Sequence, residues 1–154
     1  MTSESISEDI WAREGAAQRF GGKYLSLASY KRDGTLVATP VWFVEQDGRL
    51  LVETDACSGK VKRIRRDPAV RIAPCTATGR LRGDQVPGFA RLLPDSEIAA
   101  VERLIKRKYW ADLIVIAPLR LIQSCLHIGR TRSAPVIVSI TPSSVSLRSA
   151  RHAR

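Results

Sequence analysis

Alternation of apolar and polar residues dominates the chain between residues 23 and 55. The segment reads KYLSLASYKRDGTLVATPVWFVEQDGRLLVETD, in which residues that favour β-strands flank two Asp-Gly pairs. An Asp-Gly pair accepts the positive φ angles of a tight hairpin turn at low cost. The pairs at Asp33-Gly34 and Asp47-Gly48 therefore predict three antiparallel strands, over about 23–31, 35–45 and 49–54.

Pro40 falls inside the second of these strands. Proline has no backbone N–H to donate to a neighbouring strand, so this position predicts a sheet edge or a bulge. Three later segments also favour strands: AVRIAPCTATG from Ala69, QVPGFARLL, which Pro87 and Gly88 interrupt, and APVIVSITP from Ala134. The chain thus predicts six strands in all.

A short helical pattern follows the third strand. In the segment SGKVKRIRRDP, Val61 and Ile64 share one face at a spacing of three residues. This spacing is typical of a helix that buries one side. The pair Asp67-Pro68 ends the pattern, because the residue before a proline disfavours helical backbone.

A longer helical pattern precedes the last strand. Asp95 or Ser96 is the expected N-cap, and the apolar run over 109–126 continues the helix with a break near Pro118. A membrane span needs about 20 mostly apolar residues, and Asp112, Pro118 and Arg120 interrupt this run. We therefore expect the helix to pack on the domain or at a subunit interface.

These elements predict a mainly β fold, a six-stranded antiparallel split β-barrel. Successive hairpins pair neighbouring strands, and a closed sheet removes exposed edges. We expect one domain over residues 1–142, with an amphipathic helix over 7–20 and a helical insertion over about 94–126. The Ser-rich, basic segment 143–154 is expected to be a flexible tail.

The composition adds an electrostatic constraint. The formal net charge is +10, and such an excess attracts anions whatever the fold. The three cysteines form no C-x-x-C pair, so neither a disulfide framework nor a metal site is expected. The N-terminus lacks the basic and apolar regions of a signal peptide, so we expect a cytoplasmic protein without integral membrane association.

The most charged stretch is TDACSGKVKRIRR, residues 54–66. Its short helix is expected to begin near Ser58, where free backbone N–H groups and the helix dipole favour an anion. The Ser58 hydroxyl can donate to a phosphate, Gly59 lets a ligand approach the backbone, and Lys60 supplies a positive charge. The sequence therefore predicts a phosphate site at this strand-to-helix junction.

Two alternatives to a phosphate site are open. The first is a solvated charged face, which is the favoured interpretation of Lys62, Arg65 and Arg66. The second is nucleic-acid binding, which requires an extended basic surface and, for single strands, exposed aromatic residues. Aromatic residues make up only 6% of the chain, so no nucleic-acid partner is expected.

In combination, the motifs between residues 20 and 93 resemble those of the split-barrel flavin and deazaflavin oxidoreductases. This family includes the pyridoxamine-phosphate-oxidase-like proteins of actinobacteria that use coenzyme F-420. The resemblance rests on four motifs, which are TPVW, DGRLLVET, SGKVKRIRRDP and APC in this order. It implies a homodimer with two cofactor sites at the subunit interface.

The resemblance also implies which residues bind the cofactor. The second strand is expected to line the ring system and to hydrogen-bond it through the backbone. The end of the third strand and the turn after it are expected to hold the phosphate, and Arg63 the acidic tail. The residues so implied are Thr39, Pro40, Val41, Trp42, Thr54, Ser58, Gly59, Lys60 and Arg63. For Val41 and Trp42, a place in the barrel core is the alternative.

By this resemblance, the chain is expected to be an F-420-dependent oxidoreductase that transfers a hydride to an electron-poor small molecule. The surplus of basic residues beyond Lys60 suits the polyglutamate tail of F-420, and FMN is the alternative cofactor. No catalytic residue is identified, although the hydroxyls of Tyr30 and Tyr109 are able to donate a proton. A non-catalytic carrier of a flavin- or haem-type ligand on the same scaffold stays open for that reason.

Overall fold

The structure, a computed structural model, describes residues 20–126 and 134–143, with the side chains of all of these apart from 115–126. The helix predicted over 7–20 lies outside the described residues except for Phe20. The tail predicted over 143–154 lies outside them except for Ser143.

Seven strands form one antiparallel sheet in the described part of the chain. Their order in the sheet is β2-β1-β5-β6-β7-β4-β3. The sheet curls into a half-barrel, so that β2 also contacts β4. The strands are β1 (Tyr24–Tyr30), β2 (Leu36–Trp42), β3 (Val44–Gln46), β4 (Arg49–Asp55), β5 (Ala69–Cys75), β6 (Val86–Leu92) and β7 (Pro135–Pro142).

Helices occupy two of the connections between these strands. The short helix α1 (Gly59–Arg66) joins β4 to β5, as the sequence predicted. The long helix α2 (Ile98–Leu126) lies between β6 and β7 and follows a 3-10 turn over Asp95–Glu97. Among the described helices, none has both the length and the apolar character that crossing a bilayer requires.

Both predicted Asp-Gly turns are confirmed. Gly34, between β1 and β2, has a φ of 85°. Between β3 and β4, Asp47 and Gly48 have φ angles of 54° and 73°. Asp and Gly adopt this left-handed backbone more easily than other residues, which explains why two local residues were enough to place each hairpin.

The strand predicted over 35–45 is divided at Phe43, so the structure has seven strands where the sequence predicted six. Phe43 packs inside the barrel, whereas the next residue, Val44, packs in the cluster beneath α2. The chain changes direction at this corner, so that neighbouring residues pack in different clusters. Pro40 lies in β2, at one end of the strand order, so the prediction of a sheet edge is confirmed.

Two apolar clusters hold the fold together. The inward-facing residues of the strands fill the barrel, and the outward-facing residues of β4 and β7 pack against α2. Leu51 shows the alternation, since it faces α2 while its neighbours Leu50 and Val52 face the barrel interior. One sheet therefore contributes apolar side chains from both of its faces.

Helix α2 departs from the prediction at two places. Pro94 takes the N-cap position of the 3-10 turn, so neither Asp95 nor Ser96 is the cap. The break predicted near Pro118 is also wrong, because the helix runs through that residue and the non-helical backbone lies at Tyr109, with φ −112° and ψ 16°.

Tyr109 ties α2 to the barrel, which accounts for the position of the kink. Its hydroxyl oxygen lies 2.7 Å from the carbonyl oxygen of Lys23 and 2.8 Å from that of Phe43. It also accepts a hydrogen bond of 3.1 Å from the Phe43 N–H. Its ring stacks on Trp42, with centroids 4.7 Å apart and planes 7° apart. One side chain thus joins α2 to the start of β1 and to the corner between β2 and β3.

Tyr109→Phe removes this hydroxyl and keeps the stacked ring. We expect the free energy of unfolding to fall by about 1–3 kcal/mol, because the buried N–H of Phe43 loses its acceptor, whereas the Phe43 carbonyl keeps its hydrogen bond from Lys108. Chemical denaturation measures the change, and Tyr24→Phe is the matched control, since the Tyr24 hydroxyl makes no hydrogen bond to the described residues. Equal stability of the two variants would contradict this role.

Candidate functional site

The candidate site lies where β4 passes into α1. The connecting turn is held by a hydrogen bond of 3.0 Å from the Ser58 N–H to the carbonyl oxygen of Asp55. A second, of 2.8 Å, runs from the Cys57 N–H to Asp55 Oδ1. Ser58 has extended backbone and takes the N-cap position of α1. The turn therefore presents the first N–H groups of α1 beside the end of β4.

Helix α1 is held on the barrel by its apolar side. Val61 and Ile64 are 0% and 3% exposed, and Ile64 is part of the barrel core. Their spacing of three residues, which predicted the helix, also directs both side chains inward. Because the helix is docked through this side, its first turn has a fixed position relative to β1 and β4.

Lys60 reaches from the first turn of α1 back to the end of β4. Its Nζ donates a hydrogen bond of 3.2 Å to Thr54 Oγ1. Burial is the main cause that holds the pKa of Lys60 below its ordinary value. The positive charge of Arg63 lowers this pKa further, whereas Asp55 raises it. The two cations are therefore close enough to repel each other, and a bound anion would relieve that repulsion.

Arg63 crosses from α1 to β1. Its Nε donates a hydrogen bond of 2.7 Å to Oγ of Ser29, which is fully buried. Its Nη1 lies 2.9 Å from the point that a Cβ would occupy on Gly59. From the sequence we expected a ligand to approach the backbone at Gly59. In the structure, the guanidinium group of Arg63 occupies this space.

The Ser58 hydroxyl completes the site. Its Oγ is buried, and no hydrogen-bond partner for it exists among the described residues. A buried hydroxyl without a hydrogen-bond partner is costly, so this hydroxyl is available to donate to a ligand. A phosphate here would accept hydrogen bonds from Ser58, Lys60, Arg63 and the first N–H groups of α1. The residues present therefore fit a phosphate group.

The other basic residues of α1 divide into two kinds. Lys62 and Arg65 are exposed, as expected of a solvated face. Arg66 is exposed too, and it donates a hydrogen bond of 2.6 Å from Nη2 to the carbonyl oxygen of Tyr30. The hydroxyl of the same tyrosine accepts a hydrogen bond of 3.2 Å from Nε of Arg71. Arg66 is therefore solvated as predicted, and its hydrogen bond adds a second link between α1 and β1.

The predicted ring-lining residues of β2 lie on both faces of that strand. Thr39 and Val41 share the inward face with Leu27 of β1, and Val41 is 9% exposed there. Pro40 and Trp42 lie on the opposite face. Among the described strands β2 pairs only with β1, so no neighbouring strand covers its other edge. The backbone of β2 is therefore the part of this strand best placed to meet a ligand.

The candidate proton donors are both engaged in other contacts. Burial raises the pKa of Tyr109 to about 12, and its hydroxyl is bound to backbone groups of Lys23 and Phe43. Such a hydroxyl is a poor acid near neutral pH. The indole of Trp42 stacks on the same ring, so its side chain belongs to the junction with α2. The Tyr30 hydroxyl accepts its hydrogen bond from Arg71.

Ser29 is the site residue that the sequence interpretation missed. It follows Leu25 and Leu27 in the alternation of β1, and this phase places its side chain on the inward face. A polar residue at an inward position was the available signal. Its partner Arg63 lies 34 positions further along the chain, and this contact cannot be read from local spacing.

Comparison with known families gives no match at the level of sequence. No protein-family model matches the chain. No curated protein matches it either. Within the part of the chain that the structure describes, no group of His, Cys, Asp and Glu residues is arranged to hold a metal ion. Similarity to known proteins is therefore found in the fold.

Several solved structures share this fold. A protein described as an F420 reductase matches 84% of this chain and 94% of its own, with 17% identity and a TM-score of 0.55. A putative pyridoxamine 5′-phosphate oxidase from Listeria innocua matches 90% and 94%, with 16% identity and a TM-score of 0.51. The haem storage protein HutZ from Vibrio cholerae matches 92% and 90%, with 13% identity and a TM-score of 0.54. The described chain thus has a split-barrel fold.

Gly59→Ala tests the arrangement of the site without changing a charge. The added Cβ must displace Arg63 Nη1, which is the mobile end of a long side chain. We expect the stability to change by less than about 1 kcal/mol, since alanine favours helical backbone over glycine. Affinity for inorganic phosphate, measured by calorimetry, should fall several-fold. Unchanged phosphate affinity would mean that the position of Arg63 is unimportant.

Proposed function

We propose that this protein is an oxidoreductase that binds coenzyme F-420 and uses it to transfer a hydride to an electron-poor small molecule. The observation that carries the proposal is the convergence of Lys60, Arg63 and the unpartnered Ser58 hydroxyl at the start of α1. The fold shared with the F420 reductase and with the pyridoxamine 5′-phosphate oxidase supports it.

In the proposed complex, this chain binds and orients the cofactor. Lys60 and Arg63 hold the phosphate by charge, and Ser58 donates a hydrogen bond to it. The backbone of residues 39–42 on the uncovered edge of β2 holds the ring system. When bound, the deazaflavin ring supplies the hydride chemistry, and the protein supplies binding, orientation and electrostatics.

The choice of F-420 over FMN rests on charge next to the phosphate site. Lys62 and Arg65 are exposed on α1 and add positive charge beyond Lys60. The acidic tail of F-420 extends past its phosphate, so this surplus stabilises F-420 more than FMN, which has no such tail. FMN is the alternative cofactor on the same phosphate site.

A second candidate is a non-catalytic carrier of a flavin- or haem-type ligand. The observation that favours it is the engagement of both candidate proton donors, since Tyr109 is bound to backbone and Tyr30 to Arg71. The similarity in fold to the haem storage protein HutZ is consistent with a carrier. The two candidates differ in turnover, because only the enzyme consumes reduced cofactor.

Fluorescence titration of the purified protein with F-420 and, separately, with FMN tests the proposal. We expect saturable binding of F-420, followed by oxidation of reduced F-420 in the presence of an enone or a quinone. Binding of FMN but not of F-420 would indicate that FMN is the cofactor. Binding of a cofactor without turnover across a panel of acceptors would favour the non-catalytic carrier. Absence of binding to both cofactors would contradict the proposal.

Lys60→Ala should weaken cofactor binding more than Lys62→Ala does. We expect about a 10- to 100-fold loss for Lys60→Ala, because a partly buried charge-assisted hydrogen bond disappears. For the exposed Lys62 the expected loss is about twofold, as for a screened surface charge. The same titration measures both dissociation constants. Equal losses of affinity would mean that the basic residues attract the cofactor through their summed charge and not through a shaped site.

We also infer a homodimer. Phe89 lies in the middle of β6 on the outward face of the sheet and is 60% exposed. Exposed aromatic residues are enriched at subunit interfaces relative to the rest of a protein surface. Ala69 and Thr141 lie directly opposite it on the neighbouring strands, so the surface around the ring is not crowded by large side chains.

Phe89→Asp should convert the dimer to a monomer. A charge at the centre of an apolar contact opposes association, since it must be desolvated without a partner. Light scattering coupled to size exclusion gives the mass in solution. Trp110→Asp is the control, because Trp110 is equally exposed at 64% but lies on α2. A monomeric wild-type protein, or dissociation caused only by Trp110→Asp, would contradict this assignment.

A further inference from the structure

The inward-facing row of β1 ends in a polar residue. Leu25 and Leu27 are fully buried in the barrel core, and Ser29 continues their row with an exposed fraction of 0%. A buried hydroxyl is costly unless it is hydrogen-bonded. Here the Ser29 Oγ accepts the 2.7 Å hydrogen bond from Arg63 Nε, so its place in the core is explained by that contact.

The contact restricts which part of the Arg63 guanidinium can meet a ligand. A guanidinium presents donors along two edges, one formed by Nε with a terminal nitrogen and one formed by the two terminal nitrogens. Ser29 occupies Nε, which leaves the edge with the two terminal nitrogens. Gly59 has no Cβ and so leaves room for Nη1 over the start of α1. Ser29 thus holds one edge of the guanidinium, and Gly59 leaves space for the other edge.

The fixed guanidinium lies within the electrostatic reach of the other site residues. The charge of Arg63 lowers the pKa of Lys60, which itself is bound to Thr54. The unpartnered Ser58 Oγ lies at the same helix start. A planar pair of terminal N–H groups matches two oxygens of a phosphate, a geometry that a lysine ammonium cannot supply.

We propose that Ser29 is a positioning residue for the phosphate of the bound cofactor, which it serves by orienting Arg63. This rests on the proposed function, because it assumes that the cofactor phosphate binds at the start of α1. The site is then organised before binding, and the cofactor does not have to order a long, mobile side chain. Ser29 itself touches no part of the cofactor. It selects for ligands that carry a phosphate over ligands that lack one.

The isosteric pair Ser29→Thr and Ser29→Val tests this role. Threonine keeps an Oγ that can accept from Arg63, whereas valine has the same shape without it. Affinities are measured by fluorescence titration with FMN and F-420, and in parallel with riboflavin and the phosphate-free deazaflavin chromophore. We expect Ser29→Val to weaken binding of the phosphorylated cofactor about 5- to 10-fold relative to Ser29→Thr, the effect of one lost hydrogen bond. The phosphate-free ligands should bind both variants equally.

A double-mutant cycle separates positioning from a general loss of structure. In an Arg63→Ala background, the difference between the Ser29 variants should vanish, because no guanidinium is left to orient. Arg63→Lys should lose less affinity than Arg63→Ala, because lysine keeps the positive charge, but the Ser29 variants should differ less in this background than with Arg63, because lysine has no Nε edge for Ser29 to orient. Equal binding of the phosphorylated cofactor by both Ser29 variants would overturn the inference, as would an equal loss for riboflavin. Failure of the wild-type protein to bind FMN or F-420 would overturn the proposed function as well.

Discussion

Two apolar side chains, Val61 and Ile64, hold α1 against the end of the barrel, and this helix carries both cations of the candidate site. A helix of this length does not persist in water by itself, because nucleation is unfavourable and few hydrogen bonds follow it. Each buried aliphatic side chain contributes about 1.5–3 kcal/mol, which is enough to fix the helix on the barrel. Without that burial, Lys60 and Arg63 would be two mobile charges on a loop. The positions of both cations in the candidate site therefore depend on the burial of these two apolar side chains.

Two features of the candidate site are unfavourable for the stability of the free protein. Lys60 is partly buried beside Arg63, and the Ser58 hydroxyl is buried without a partner among the described residues. Each of these arrangements lowers the stability of the free protein. An oxyanion removes all of them together, because it supplies negative charge and acceptor oxygens at one place. Such local cost is typical of binding sites, where function and stability compete.

Most of the strands could be predicted because their signals are local. The left-handed backbone of Gly34, Asp47 and Gly48 follows from the residue types at these positions, and Pro40 indicates that its strand lies at a sheet edge. The spacing of apolar residues in α1 was equally local. The strand count was wrong because the corner at Phe43 depends on which of two clusters each neighbour joins.

The kink in α2 and the role of Ser29 depend on contacts between distant parts of the chain. Pro118 was the local signal for a break, but the hydroxyl of Tyr109 finds its partners at Lys23 and Phe43 and the helix departs from ideal geometry there. The residues of the proposed anion site were predicted from their proximity in the sequence. The arginine orientation that completes it requires the fold, since Ser29 comes from another strand.

The edge strand β2 also has a consequence for how the protein behaves in concentrated solution. An uncovered strand edge is a template on which another chain can add a strand, and long regular edges promote aggregation. Pro40 has no backbone N–H, so it supplies no donor to the ladder that an intruding strand would need. The carbonyl oxygens of the strand are kept. The edge can therefore stay open to a small ligand while it discourages fibril-like association of whole molecules.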